Sequence, residues 1–139
     1  MAIFWLKDPY VIVNSVVLSA KTTEVGIDLS RVELSPKAGG DEALRRMAGH
    51  KDWELVLKFD QDMAAGSVDA TMFAAYDGGT GIVIGVRATT DDKAATNPEY
   101  TGTGIVFGYK PFGEPVGDVA IAETNIKCSD GTGMSRSTS

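Results

Sequence analysis

The sequence predicts a mainly β protein: a β-sandwich or open barrel with one flanking α-helix near residues 67–77 and a long loop over residues 35–52. Three observations carry this. Sixteen glycines and five prolines among 139 residues favour strands joined by turns over a helical bundle. Residues 53–60 alternate apolar and polar with period two. The stretch 67–77 begins at a capping serine, spaces its apolar residues helically and runs into a glycine pair. With 43% hydrophobic and 23% charged residues, the chain can bury a core and reads as a single domain over 1–139.

The elements follow in chain order. Residues 3–6, Ile-Phe-Trp-Leu, form an apolar patch that either tucks in as a first strand or docks as an arm on a neighbouring subunit. The first alternative is slightly preferred. Residues 10–18 read as strand, broken at Asn14-Ser15 by a tight turn. In residues 24–34, Val25, Ile27 and Leu29 share one parity, which then flips to Val32 and Leu34, so a bulge or bend is expected near Ser30-Arg31. Residues 35–52 interrupt the β pattern. Asp41 could cap a short helix there, with Leu44, Met47 and Ala48 as its apolar edge and Gly49 as its stop.

Trp53, Leu55, Leu57 and Phe59 then line one strand face, and Glu54, Lys58 and Asp60 the other. Ser67 is the expected helix cap, and Asp69 suits the positive end of the dipole. Val68, Met72, Ala75 and Tyr76 make the expected buried face, and Gly78-Gly79 the stop. Further strands are expected at 82–87, 98–109 and 116–128, for six or seven in all. Gly102, Gly104 and Gly108 mark bulges or close approach of another backbone. The small polar tail 129–139 and the N-terminal arm 1–8 are expected to be flexible or ordered by a partner.

Charge and composition exclude several chemistries. The net charge of −6 divides evenly, −3 in residues 1–70 and −3 in 71–139, so there is no basic arm for gripping nucleic acid. One cysteine, Cys128, allows no disulfide within the chain, and one histidine, His50, allows no His-rich metal site. Residues 1–7 lack the basic start of a signal peptide, and no apolar run is long enough to span a bilayer, so synthesis in a cytoplasm is expected, with no membrane insertion. Gly79-Thr80-Gly81 precedes a strand rather than a helix, and Gly102-Thr103-Gly104 sits inside one, so neither makes a phosphate cradle. Asp60, Asp62 and Asp69 lack the glycine and terminal glutamate of a calcium loop. No catalytic motif, metal site or cofactor is expected.

Several stretches exceed generic β protein. They are Phe59-Asp60-Gln61-Asp62-Met63-Ala64-Ala65-Gly66-Ser67-Val68-Asp69-Ala70-Thr71-Met72-Phe73, then Ala94-Ala95-Thr96-Asn97-Pro98-Glu99-Tyr100-Thr101, and Gly108-Tyr109-Lys110-Pro111 through Val116-Gly117-Asp118. With Leu6-Lys7-Asp8 at the start and Ser135-Arg136-Ser137-Thr138 at the end, the chain resembles the major tail (tail tube) proteins of long-tailed bacteriophages and prophages. Asn14-Ser15 stands where an Asn-Gly turn is usual in such proteins.

The resemblance implies a virion protein, assembled in the host cytoplasm, whose hexameric rings stack into a tube. Inner strands of all subunits would join in one β-barrel around a channel. The tape-measure protein and then DNA would occupy that channel, and terminator and tip proteins would meet the tube's ends. Glu24, Asp28, Glu54 and Asp60 on polar strand faces are the candidate lumen-facing acids, since a negative wall lets DNA slide without binding. Lys37, Asp41, Glu42, Arg45, Arg46, His50 and Lys51 in the 35–52 loop are the candidate contact with the adjacent ring. Phe4 and Trp5 are the candidate inter-subunit arm. The alternatives are a capsid decoration or head–tail joining protein, which would stop at a trimer or single ring, and, less favoured, a β-sandwich binding module.

Overall fold

A computed structural model describes residues 5–36, 39–40 and 42–139. Eight strands form one antiparallel sheet: β1 Tyr10–Val13, β2 Val16–Val17, β3 Thr22–Leu34, β4 Met47–Asp60, β5 Ile82–Arg87, β6 Glu99–Lys110, β7 Ile121–Cys128 and β8 Ser135–Ser137. The order across the sheet is β2-β1-β5-β6-β7-β4-β3, with β8 added to β6. A single 3-10 turn, Ser19–Lys21, follows β2, and the helix α1, Val68–Gly78, follows β4.

Connectivity forces this sheet to curl. β2 and β3 are its outermost strands, yet only four residues join Val17 to Thr22. That length of chain reaches about 18 Å at most. Seven flat strands would hold their outer members about 29 Å apart. The sheet therefore wraps into the expected sandwich or open barrel, with its concave face closed by α1. Inside lie Val11, Val13, Leu55, Leu57, Phe59, Val68, Met72, Ile84, Ala122 and Ile126, all fully buried. Each such side chain larger than alanine contributes about 1.5–3 kcal/mol on burial. Strict alternation along β4 is what delivers Trp53, Leu55, Leu57 and Phe59 to this face.

Two glycines of β6 make room for the largest core side chain. A Cβ on Gly102 would stand 2.9 Å from the Trp53 ring, and one on Gly104 would stand 2.7 Å from that ring and 2.6 Å from the Lys127 carbonyl oxygen. The close approach of another backbone that the sequence predicts is met at Gly104, while at Gly102 the close neighbour is the Trp53 side chain. The turn between β1 and β2 also matches expectation: Asn14 and Ser15 have φ of 49° and 69°, both left-handed, the pattern that joins two strands without splaying them.

Other expectations need correction. Residues 41–49 form no helix in their described part: β4 begins at Met47, and Glu33 and Leu34 pair with Ala48 and Met47. The loop therefore shrinks to residues 35–46. Gly49 is not a helix stop but a tight strand contact, where a Cβ would stand 2.8 Å from the Val32 carbonyl oxygen. On α1 the buried face is Val68, Thr71, Met72 and Ala75, while Tyr76 is half exposed, because it lies too far round the helix from Val68 and Ala75. The expected strand at 116–128 starts only at Ile121. Val116 and Val119 are exposed, since Gly117 takes φ 106° in a turn closed by Asp118 N–H on the Pro115 carbonyl. Trp5 is 82% exposed, so its part of the N-terminal patch does not enter the chain's own core.

Candidate assembly surface

The face of β3, β4, β7 and the second half of β6 that is turned away from the core carries the acidic candidates together. Register places Glu24 opposite Lys58, Asp28 opposite Glu54, Glu54 opposite Lys127, Lys58 opposite Glu123 and Asp60 opposite Ile121. Residues directly opposite share a face. Six carboxylates (Glu24, Asp28, Asp52, Glu54, Asp60, Glu123) thus stand among three lysines (Lys58, Lys110, Lys127). Three of these acids have partners: Lys58 Nζ lies 3.2 Å from Glu24 Oε2, Asn125 Nδ2 donates to Glu54 Oε1 at 2.8 Å, and the Trp53 N–H donates to Asp52 Oδ1 at 2.8 Å. The balance of this face remains negative.

This sub-sheet has two open edges. β3, 13 residues long, pairs only with β4. On β6, β5 covers residues 99–104, while residues 105–110 pair with β7 alone. Among the described residues no strand covers the far side of either edge. Unpaired backbone N–H and C=O groups in such rows are a template for another chain. A bulge between Val106 and Gly108 sits on one of them and leaves Phe107 61% exposed.

β3 and β4 also run on past the end of β7, whose pairing with β4 spans Glu54 to Asp60. Residues 30–34 and 47–52 form a two-stranded arm reaching about 17–20 Å beyond the sheet. The contact-loop candidates distribute along it without clustering. Arg46 is committed within the arm, its Nε donating to Glu33 Oε1 at 2.6 Å. Arg31 Nη1 donates to the Gly49 carbonyl at 3.2 Å, which braces the same hairpin. His50 and Lys51 are exposed on β4, and Glu42 and Arg45 are exposed in the loop. Lys37, Asp41 and Phe4 lie outside the described residues. The exposed Trp5 ring has Lys7 Nζ 5.8 Å from its centroid.

The helix entry departs from expectation in its chemistry. Ser67 occupies the cap position and its carbonyl accepts the Thr71 N–H, but its hydroxyl makes no capping bond. It donates instead to Asp62 Oδ2 at 2.7 Å. Asp62 also accepts the Ala64 N–H on Oδ1 and has Lys21 Nζ 3.5 Å from Oδ2. The Ala64 and Ser67 bonds hold its carboxyl below the usual aspartate range. Beside it, Tyr109 on β6 donates to Asp69 Oδ1 at 2.8 Å and accepts from Gln61 Nε2 at 3.1 Å, tying α1 to the sheet. Burial, with the Asp69 charge behind it, pushes the Tyr109 phenol up to about 12. Sequence reasoning missed this triangle because Tyr109 is 40 and 48 residues from its two partners.

The tail is partly placed. β8 pairs Ser135 with Thr101 and Ser137 with Glu99, and Met134 packs against the core. A groove of 330 Å³ opens between the tail and the arm, lined by Leu29, Arg31, Lys51 and Met134 among others. Cys128 is half-buried, and its thiol donates to the Asp130 carbonyl at 3.2 Å. Among the described residues, no three His, Cys, Asp or Glu side chains gather where they could hold a metal ion.

No protein-family model matches the chain, and no curated protein matches it. Solved structures do. A chain in the virion of the native gene transfer agent particle is similar with a TM-score of 0.70 at 9% identity, over 95% of both chains. One in the anti-feeding prophage cap, a tube-terminating cap, has a TM-score of 0.69 at 9% identity, over 100% of this chain and 95% of the other. One in the sheath–tube complex of an extracellular contractile injection system, PVC, has a TM-score of 0.67 at 12% identity, over 94% and 88%. At these identities the likeness is one of fold, and it spans the whole domain. The fold is that of phage-tail-like tube proteins, as the sequence resemblance implies.

Proposed function

We propose that this chain is a structural protein of a phage tail or tail-like particle, that it polymerises as stacked rings into the tube, and that it has no catalytic role. The observation that carries the reading is the four-stranded sub-sheet, acidic on the face turned away from the core and open at both edges. Reading across it, β6, β7, β4 and β3 alternate in direction. An even number of alternating strands lets β3 of one copy meet residues 105–110 of the next copy's β6 in antiparallel fashion. Repeated round a rotation axis, this closes a barrel and leaves no lateral edge exposed.

The barrel's dimensions suit a conduit. A gene transfer agent tail with a similar chain (TM-score 0.64, 9% identity, over 86% and 82%) was solved with C6 symmetry. Six copies of four strands would make a barrel about 37 Å across with upright strands and about 48 Å at a 40° tilt. Side chains would leave roughly 27–38 Å. A nucleic-acid duplex, whose grooves are together about 16 Å deep, passes through such an opening. Glu24, Asp28, Glu54 and Asp60 would face that lumen and repel phosphate, so DNA transits without binding. The arm, with Arg45, Arg46, His50 and Lys51, would meet the adjacent ring. Trp5, exposed beside the unassigned Phe4, would serve as an inter-subunit arm. Tape-measure, terminator and tip proteins are the expected partners, and the virion tail, assembled in the host cytoplasm, the expected location.

Negative-stain electron microscopy of the purified chain over a concentration series, with light scattering alongside, tests the reading. Hollow filaments or stacked rings are expected. Closed single rings that never stack, or trimers, would replace it with the joining or decoration role. A monomer at every concentration, even with tail-tip components added, would overturn it.

A further inference from the structure

Polarity inverts along β3. Its even-numbered residues run Glu24, Gly26, Asp28 and Ser30 and then Val32 and Leu34, while its odd-numbered residues run Val25, Ile27 and Leu29 and then Arg31 and Glu33. The flip does not return Val32 and Leu34 to the core. They stay on the side turned away from the core, 51% and 46% exposed, and Met47, paired with Leu34, is 58% exposed. The arm thus carries an apolar face turned away from the chain's own core. Two strands alone cannot cover such a face, and an isolated hairpin is marginal in water.

A second exposed apolar strand face exists at the opposite side of the sheet. Ile12 lies opposite Val17 on β2 and Gly85 on β5, and Val83 follows two residues along on the same face. Val17 is 55% and Val83 60% exposed. Gly85 leaves a notch between Ile12 and the Glu99 carboxylate, part of a 210 Å³ groove that also takes in Val83 and Thr101.

Charge says what kind of partner suits the arm. Residues 31–51 hold five Lys or Arg against three Asp or Glu, a net of +2. The whole chain is −6, so the remainder is −8. An arm of one sign on a body of the other is complementary to a second copy of the same chain. We propose that Val32, Leu34 and Met47 of one copy seat on the Ile12–Val17–Val83 face of another, with the Gly85 notch receiving an arm side chain. The two patches are different surfaces of one molecule, so the contact is heterologous and repeats without closing on itself. This deepens the tube reading and rests on it: the arm's partner is the β1–β5 face of the next copy.

The test uses the full chain carrying Cys128→Ser with Met47→Cys and Val83→Cys, oxidised after assembly. A ladder of covalent multimers on non-reducing gels is expected, absent from either single-cysteine chain. Val83→Glu, at an exposed position, is expected to keep the monomer's circular dichroism and to cut filament length at least tenfold. Filaments that form without the ladder, and that Val83→Glu leaves at full length, overturn this contact while leaving the tube reading intact. A ladder from Met47→Cys with Phe73→Cys on α1, and none with Val83→Cys, overturns it in favour of another receptor face. A chain that never assembles overturns both.

Discussion

Replacing Gly104 by alanine tests the close packing of β6 against Trp53 and β7. The added Cβ would stand 2.6 Å from the Lys127 carbonyl oxygen, 2.7 Å from the Trp53 ring and 2.8 Å from the Ile126 side chain. One of these neighbours is backbone of the strand paired with Gly104 and cannot swing aside. The other two are fully or nearly fully buried core side chains. Overpacking of this kind costs about 1–3 kcal/mol, and an obstructed backbone places this site at or above the upper end, about 3 kcal/mol. For a chain of this length that lowers the melting temperature by roughly 10 °C. Gly26→Ala is the control, since its Cβ meets nothing closer than 4.0 Å and is expected to stay within about 0.5 kcal/mol of the parent. Urea unfolding followed by circular dichroism reads both. Trp53→Leu should recover part of the Gly104→Ala loss, a coupling measurable in a double-mutant cycle. A Gly104→Ala chain within about 1 kcal/mol of the parent would refute the idea that glycine is needed there for close approach.

Three further outcomes are expected. Ser15→Gly should raise stability by about 0.5–1 kcal/mol in thermal unfolding, because Ser15 holds φ 69° and glycine reaches that region without penalty. Tyr109→Phe should cost about 1–2 kcal/mol through the lost bonds to Asp69 and Gln61. Because the fold raises the phenol from its ordinary value near 10 to about 12, the native state favours the neutral ring; stability should be full below pH 10 and decline as pH rises through 12, and Tyr109→Phe should flatten that decline in alkaline melts. Deleting residues 38–49 should leave a folded subunit by circular dichroism that cannot build long tubes; tubes of normal length by electron microscopy would remove the arm tip from assembly.

How far the fold could be read in advance depended on whether the signal was local. In residues 53–60 every position of one parity is large and apolar, and only Val56 breaks the polar parity, so β4's core face was legible residue by residue. The helix was legible from its capping serine and glycine pair, but not the partner of Ser67, because Asp62 lies five residues upstream and competes for the hydroxyl. The arm was misread for a physical reason. Leu44, Met47 and Ala48 have helical spacing, yet the pairing of Glu33 and Leu34 across the hairpin is non-local and wins. The flip at Val32 was visible, and only its meaning, an exposed apolar face instead of a return to the core, required three dimensions. β8 is Ser-Arg-Ser, with no strand signature of its own, and its pairing depends on the edge that residues 99–101 offer. Parity put each acidic candidate on its own strand's polar face, and the register between β3 and β4 brings those faces together.

The arm leaves the sheet at one end only, beyond Glu54 where β7 stops. A subunit so built has a head and a tail, and any stack of them inherits an arrow. The two ends of such a polymer expose different surfaces, one presenting arms and the other the faces that arms would fill. Growth and arrest can then be governed separately, by one factor that offers a first receptor and another that occupies the last arms. Length becomes a property that outside components can dictate, with no need for the subunit to count.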